Sequence, residues 1–174
     1  SVLGQRFAPE ALRFLLEDRA KGGIELALKT AEGMHGAQTD AADRSRQGLF
    51  DKEAGGFFRY AMERNWTLPH YEKMLEINAE LLEALSLLYQ RTKTPELRTV
   101  LDKTVAYLTT ALARPGGGFW GSQDSDGEEA YYRLPLAERA KKEQPFIDKT
   151  VYCEWNGLAL RGLATAWRAT GNQA

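Results

Sequence analysis

The chain has 174 residues, 43% of them hydrophobic and 27% charged, which is enough for one domain with a hydrophobic core. A formal net charge of −1 and the lack of any basic run exclude the clustered positive surface that nucleic acids require. No stretch approaches the roughly 20 apolar residues of a membrane span, and the single cysteine excludes an internal disulfide. We therefore expect a cytoplasmic protein that binds neither nucleic acid nor membrane.

Two helices and a long loop are predicted for the first third of the chain. Apolar residues at helical spacing run from Pro9 to Asp18, and a glycine pair separates them from a second helix over about residues 24–34. Residues 35–57 are predicted to form a long loop, and long loops in compact domains are commonly functional. His35 stands at the entrance of this loop, where we expect it to face solvent or to cap the helix rather than to act in catalysis.

The segment over residues 55–75 combines aromatic side chains with groups that hold or move protons, and it reads GGFFRYAMERNWTLPHYEKML. Pro69 suits the first position of a helix, and a helix that starts there carries His70, Glu72 and Lys73 in its first turn. The helix dipole favours an anion and disfavours a protonated imidazole at that end, so a neutral His70 can act as a base or a hydrogen-bond donor. The alternative is a half-buried histidine that is satisfied by a neighbour.

Helical patterns continue through most of the remaining chain. A long helix is predicted over residues 71–90, with an apolar band wide enough for neighbours on more than one side. Thr94 and Pro95 then begin a helix that runs to residue 113. A short polar helix over residues 135–143 precedes a final helix that opens at Trp155 and Asn156 and is rich in small residues, which allow helices to approach closely. Asn156 is either the N-cap of this helix or part of a site.

A second candidate region for chemistry is the acidic segment over residues 116–134, GGGFWGSQDSDGEEAYYRL. Its Asp-x-Asp-Gly pattern is similar to the start of an EF-hand loop, but position twelve is Arg133 instead of the bidentate Glu that calcium requires. We therefore assign no metal and no cofactor. Paired carboxylates beside aromatic rings suit sugar chemistry, in which acid and base groups act on opposite faces of a ring. The alternative is an acidic turn that bonds to its own backbone.

The segments GGFFRY, WTLPHYEKML, GGFWGSQDSDGEE and DKTVYCEWNGLAL together resemble the family in which a thioredoxin-like domain precedes an (α/α) helical toroid. That family includes the spermatogenesis-associated thioredoxin-fold proteins, and its toroid is akin to six-hairpin glycosidases and N-acylglucosamine 2-epimerases. The resemblance covers about residues 50–170. Phe58 stands where the family commonly has His, the acidic loop is shorter, and the thioredoxin domain is absent from these residues.

The resemblance implies an all-α fold of helical hairpins that form part of a six-hairpin toroid. Five substantial helices and a short one are predicted, whereas a closed ring of six hairpins has about twelve, so residues 1–174 are expected to form a single domain with an incomplete ring. Such a ring exposes an apolar helix face, which favours self-association or contact with the missing part of a longer chain.

The resemblance also implies a pocket on the concave face of the toroid. In the leading hypothesis the domain is an epimerase-like or glycosidase-like enzyme whose small-molecule substrate is a sugar. The groups implied in catalysis are His70, Glu72, Asp124 and Glu128. Those implied in substrate binding are Arg59, Trp66, Lys73, Gln123, Trp155 and Asn156, with the two tryptophans stacking on the sugar. The competing hypothesis is a non-catalytic scaffold or interaction domain of a thioredoxin-fold protein, in which the same residues form a polar core network.

Overall fold

A computed structural model describes residues 5–6, 8–17, 22–36, 48–63, 66–125 and 129–171, and seven helices lie in this part of the chain. They are α1 (Pro9–Glu17), α2 (Gly23–His35), α3 (Leu75–Thr92), α4 (Pro95–Thr110), α5 (Glu129–Tyr132), α6 (Leu136–Arg139) and α7 (Cys153–Thr170). Five of them have nine residues or more, so the prediction of five substantial helices is confirmed. The short polar helix is confined to the four residues of α6, and α5 has no counterpart among the predicted helices.

Within the described ranges, six two-residue strands form two small antiparallel sheets beside the helices. The first sheet contains β1 (Gln5–Arg6), β2 (Tyr60–Ala61) and β3 (Pro69–His70), and the second contains β4 (Lys73–Met74), β5 (Ser122–Gln123) and β6 (Ile147–Asp148). The sequence did not predict these strands, because two residues are too few to show the alternation of a half-buried strand.

The hydrophobic core is built around α3, which packs against α1, α2, α4 and α7. Its leucines are buried on several sides of the helix, as the wide apolar band predicted. Burial of each such side chain stabilises the fold by about 1.5–3 kcal/mol, so α3 is the main source of core stability in the described residues. The fully buried members are Leu75, Leu81, Leu82, Leu85 and Leu88.

Small residues on α7 allow it to lie directly against α3. Ala159, Gly162 and Ala166 are buried in this contact, and a Cβ added at Gly162 would lie 2.6 Å from the carbonyl oxygen of Ala79. The predicted close approach of helices is therefore confirmed. Ala164, another small residue of this helix, is exposed and takes no part in the contact.

Two asparagines make the same set of hydrogen bonds at equivalent places on α3 and α7. Asn78 accepts the N–H of Phe57 at 2.6 Å and donates to the carbonyl oxygen of the same residue at 3.0 Å. Asn156 binds Phe119 in the same way, at 2.8 and 3.2 Å. Each amide nitrogen also donates to the carbonyl oxygen four residues earlier, at 2.9 Å. Asn156 therefore lies inside the first turn of α7, and the prediction that it is the N-cap is wrong, since Tyr152 has that place.

These paired contacts show that the chain repeats one structural unit. In each copy a glycine-rich turn ends on a phenylalanine, which forms an isolated antiparallel bridge to a residue before the turn. The asparagine of the following long helix then binds that phenylalanine's backbone. In the first copy the unit consists of α2, the turn before Phe57 and α3, and in the second copy of α4, the turn before Phe119 and α7. The second copy carries extra residues between the turn and the helix, including the acidic segment.

Candidate active site

The residues before α3 form strands instead of the predicted first helical turn. Pro69 and His70 pair with Ala61 and Tyr60, and α3 begins only at Leu75. The prediction that Pro69 starts a helix, with His70, Glu72 and Lys73 in its first turn, is therefore wrong, and the helix dipole does not act on these side chains as supposed. The physical reason is that the backbone here is bonded to a distant strand: Pro69 and His70 pair with β2, and the Arg59 N–H donates to the carbonyl oxygens of His70 and Glu72, at 3.3 and 2.8 Å, so these carbonyls are not available to a helix.

Arg59, His70 and Glu72 form a cluster at the edge of the first sheet. The Arg59 guanidinium donates to Glu72 Oε2 at 2.7 Å, and His70 Nε2 lies 3.7 Å from the same oxygen. The imidazole stacks on the ring of Tyr60, with centroids 5.0 Å apart and an angle of 18°. The side chain of His70 is 34% exposed, so it is oriented by two neighbours and still reaches solvent. This arrangement suits a group that exchanges a proton with a bound molecule.

The acidic segment approaches this cluster through the second sheet. Lys73 pairs with Gln123 and Met74 with Ser122, so the next residues outward along the two strands are Glu72 and Asp124. The Asp124 backbone is held at both ends, because its N–H donates to the Phe146 oxygen and its carbonyl accepts from the Tyr132 hydroxyl, each at 2.8 Å. The Asp124 side chain is exposed. His70 itself lies in β3 of the first sheet, so the acidic segment reaches the cluster at Glu72, in the short connection between β3 and β4. Glu128 is not among the described residues.

Lys73 is turned away from this surface into a buried ion cluster. Its ammonium, which is 1% exposed, donates to Asp51 Oδ2 and to the Gly55 oxygen, each at 2.7 Å. Arg139 binds the same carboxylate through two hydrogen bonds of 2.6 and 3.1 Å. The rings of Phe58, Tyr107 and Tyr132 lie within 5.4 Å of the ammonium. Asp51 and Arg139 carried no signal in the sequence, since they are 88 residues apart and neither lies in an apolar pattern.

Burial and the neighbouring charges together set the pKa values of Lys73 and Asp51. Burial lowers the pKa of Lys73 from 10.5 to about 8, although the Asp51 carboxylate opposes the change. Burial by itself would raise the pKa of Asp51, but the charges and hydrogen bonds of Lys73 and Arg139 outweigh it and hold that pKa below its usual value. Asp51 therefore remains an anion, and one carboxylate neutralises two neighbouring cations only in part.

The other predicted binding residues divide into internal and half-exposed positions. Gln123 is buried in β5, and the Asn156 amide is engaged with the Phe119 backbone. Trp66 is half-buried and lies over α2, where a Cβ added at Gly33 would be 2.9 Å from the indole nitrogen. Trp155 is half-buried, with its ring centroid 4.1 Å from that of Tyr152. Trp155 lies in the first turn of α7, and its neighbour Tyr152 lies against Gly121, the residue before β5.

The structure also locates His35 and Phe58, the residue that stands where the related family commonly has His. His35 is the last residue of α2 and is buried, and Gly36 takes the C-cap position, so the expectation that His35 faces solvent or caps the helix is wrong. Burial lowers its pKa below the usual value. Phe58, which replaces the family's usual His, is buried against the rings of Tyr71 and Tyr132 and supplies no acid or base.

The described residues contain no group of three His, Cys, Asp or Glu side chains placed to hold a metal ion. No helix among them has the length and apolar character needed to cross a bilayer.

Comparison with solved structures defines the class of fold. The chain superimposes on a sugar epimerase from a ruminal bacterium with a TM-score of 0.64 and 15% identity, covering 94% of this chain and 38% of that one. It superimposes on cellobiose 2-epimerase from Spirochaeta thermophila with a TM-score of 0.58 and 18% identity, covering 97% and 42%. The fold is therefore the helical toroid of these proteins, as the sequence predicted.

Comparison with known sequences identifies the relatives. The chain matches no protein-family model. It is 33% identical over 100 residues to human spermatogenesis-associated protein 20, and 31% identical over 148 residues to the uncharacterized protein B0495.5 of Caenorhabditis elegans. It spans only 13% of the first and 17% of the second. The chain is thus a homologue of spermatogenesis-associated protein 20, which confirms the resemblance drawn from its motifs.

Proposed function

We propose that this chain is part of a carbohydrate-directed enzyme domain and that its reaction is epimerase-like. The observation that carries this proposal is the cluster of Arg59, His70 and Glu72, which is half-exposed and lies beside the acidic segment in a fold shared with sugar epimerases. Asp124 Oδ1 accepts the N–H of Ser125 at 2.6 Å, as in an acidic turn that bonds to its own backbone, and His70 lies beside Glu72. Asp124 is nevertheless exposed and His70 partly so, whereas a purely structural core network would bury both.

Epimerisation next to a sugar carbonyl needs two proton carriers on opposite faces of one carbon. In the proposed site the His70 imidazole removes or returns the proton, and Asp124, with Glu128, serves the other face or holds hydroxyl groups. Glu72 lies between Arg59 and His70, so its carboxylate orients the imidazole and stabilises the imidazolium that forms. Arg59 remains half-exposed beside Glu72 and can donate to a sugar oxygen.

Of the remaining residues of the proposed site, one can contact the sugar and the others support the backbone around it. Trp155 has a half-exposed ring that can stack on it. Lys73, Gln123 and Asn156 are held by internal contacts, and in this proposal they fix the strands and the turn on which the reacting groups stand. Trp66 fixes the approach to β3 through its contact with α2.

The proposed reaction can be followed by proton exchange. The protein is incubated in D₂O with glucose, N-acetylglucosamine and cellobiose, and proton NMR measures loss of the signal at carbon 2 and appearance of the epimer. Release of glucose from cellobiose in the same spectra would instead indicate hydrolysis. We expect exchange at carbon 2, reduced at least 100-fold in His70→Gln, since general acid–base catalysis contributes about 10²–10⁴-fold.

The matched control replaces a glutamate outside the cluster. Glu72→Gln removes the carboxylate that contacts His70 and Arg59 and is expected to lower the rate, whereas Glu96→Gln, in the first turn of α4, is expected to leave it unchanged. Equal rates in wild type and His70→Gln would remove the catalytic assignment of the imidazole.

We also propose that the described residues form one domain whose ring is incomplete. Of the loop predicted over residues 35–57, His35 belongs to α2 and residues 37–47 lie outside the described residues. Support for the incomplete ring comes from coverage, since the chain accounts for 38% and 42% of the two epimerase chains. It comes also from α7, where Leu160 and Trp167 lie two turns apart and are 65% and 52% exposed. In the isolated chain a second copy covers this apolar face.

A further inference from the structure

A cavity of about 310 Å³ lies between the end of α2 and the first half of α4, away from the cluster around His70. Phe50 and Val100 form a buried apolar floor, and the imidazole of His35 forms part of the wall. Lys52 and Lys103 also line it. Its volume is at the lower end of the range of small-molecule sites, about 300–1,000 Å³.

Backbone contacts hold the two ammonium groups of this cavity in place. Lys52 donates to the Gly36 oxygen at 3.0 Å, and Lys103 donates to the carbonyl oxygen of Lys52. An ammonium has three donors, so Lys103 can keep this bond and donate to a ligand at the same time. Both cations are therefore placed before any ligand arrives, which reduces the entropy lost on binding.

The charges around the cavity favour a single negative charge. Among the residues that line the cavity, Lys52 and Lys103 contribute two positive charges and Glu96 one negative charge, so the lining has an excess of one positive charge. The charge of Glu32 also acts on His35, but Glu32 is not part of the lining. His35 adds no charge at neutral pH, because burial lowers its pKa. A dianion such as phosphate would meet Glu96 and gain nothing from Phe50 and Val100, while a sugar would place hydroxyl groups on that apolar floor.

We infer that this cavity is a second binding site, distinct from the proposed sugar site, and that it takes a small aromatic monocarboxylate. The carboxylate lies against Lys103 and Lys52, and the ring lies on Phe50 and Val100. A charge-assisted hydrogen bond of this kind is roughly twice as strong as a neutral one, so the ammonium groups provide the selectivity for the anion.

The two histidines of the chain allow each site to be observed separately. Imidazole carbon–proton correlations of labelled protein give one signal for His35 and one for His70, assigned with His70→Gln. Benzoate is titrated at pH 7, with benzamide as the neutral analogue of the same shape and inorganic phosphate as an anion without a ring. We expect benzoate to shift the His35 signal in a saturable manner, with neither benzamide nor phosphate doing so.

Two lysine variants complete the test. Lys103→Met is expected to weaken benzoate binding about tenfold, while Lys141→Met, which removes an exposed cation paired with Glu138, leaves it unchanged. The inference is overturned if benzoate shifts only His70 or neither signal, if benzamide binds as well as benzoate, or if the two lysine variants behave alike. None of these outcomes depends on whether the cluster around His70 is catalytic.

Discussion

Replacing Asp51 by Asn tests the buried ion cluster most directly. The change keeps the shape of the side chain and removes the only carboxylate that contacts Lys73 and Arg139 among the described residues. Removing one partner of a buried ion pair costs about 3–5 kcal/mol, because the remaining charge stays buried without compensation. Here two cations lose their partner at once, so we expect a loss of free energy of unfolding near the upper end of that range.

A loss of this size is a large fraction of the free energy of unfolding of a whole domain, which is about 5–15 kcal/mol, so it is readily measured. Urea unfolding at pH 7, followed by far-ultraviolet circular dichroism, gives the free energy of unfolding for each variant. The matched control is Asp102→Asn, which removes an ion pair with Arg98 on the partly exposed surface of α4 and is expected to cost under about 1 kcal/mol. Similar losses for the two variants would show that the cluster does not stabilise the fold in the way its burial implies.

Three further predictions follow from other contacts. The free energy of unfolding should rise by about 3 kcal/mol between about pH 8 and pH 10. The pKa of Lys73 is about 8 in the folded chain and 10.5 in the unfolded chain, so the unfolded chain binds more protons in this window. Urea unfolding measures the rise, which should be absent in Lys73→Met. Gly162→Ala should lower the free energy of unfolding by about 1–3 kcal/mol, because the new methyl group clashes with the Ala79 oxygen. Gly157→Ala, where the methyl group meets nothing within 4 Å, should raise it by up to about 1 kcal/mol. Thermal unfolding compares the two variants, and a gain in both would contradict the close packing of α7 on α3. Trp167→Glu should convert a concentration-dependent dimer to monomer in sedimentation, and Phe146→Glu, an equally polar change at an exposed residue outside the helices, should not.

The position of the helices could be predicted because the signals are local. Apolar residues at a spacing of 3.6 mark α1 to α4 and α7, and Pro95 fixes where α4 begins. The motif segments also carried the relationship to the toroid proteins, because several short runs occur in the same order along the chain. Even where the start of α3 was predicted too early, its apolar face was predicted correctly.

The tertiary structure alone decided which of the polar residues face a ligand. Nothing in the sequence around Lys73 shows that its ammonium points into the core, because its partners Asp51 and Arg139 come from 22 residues before it and from the far side of the acidic segment. Likewise, the strand at His70 forms because Tyr60 and Ala61 offer a backbone to pair with. Periodicity reports how a segment meets water and apolar surroundings, whereas the partner of a buried charge is set by distant contacts that form only when the chain folds.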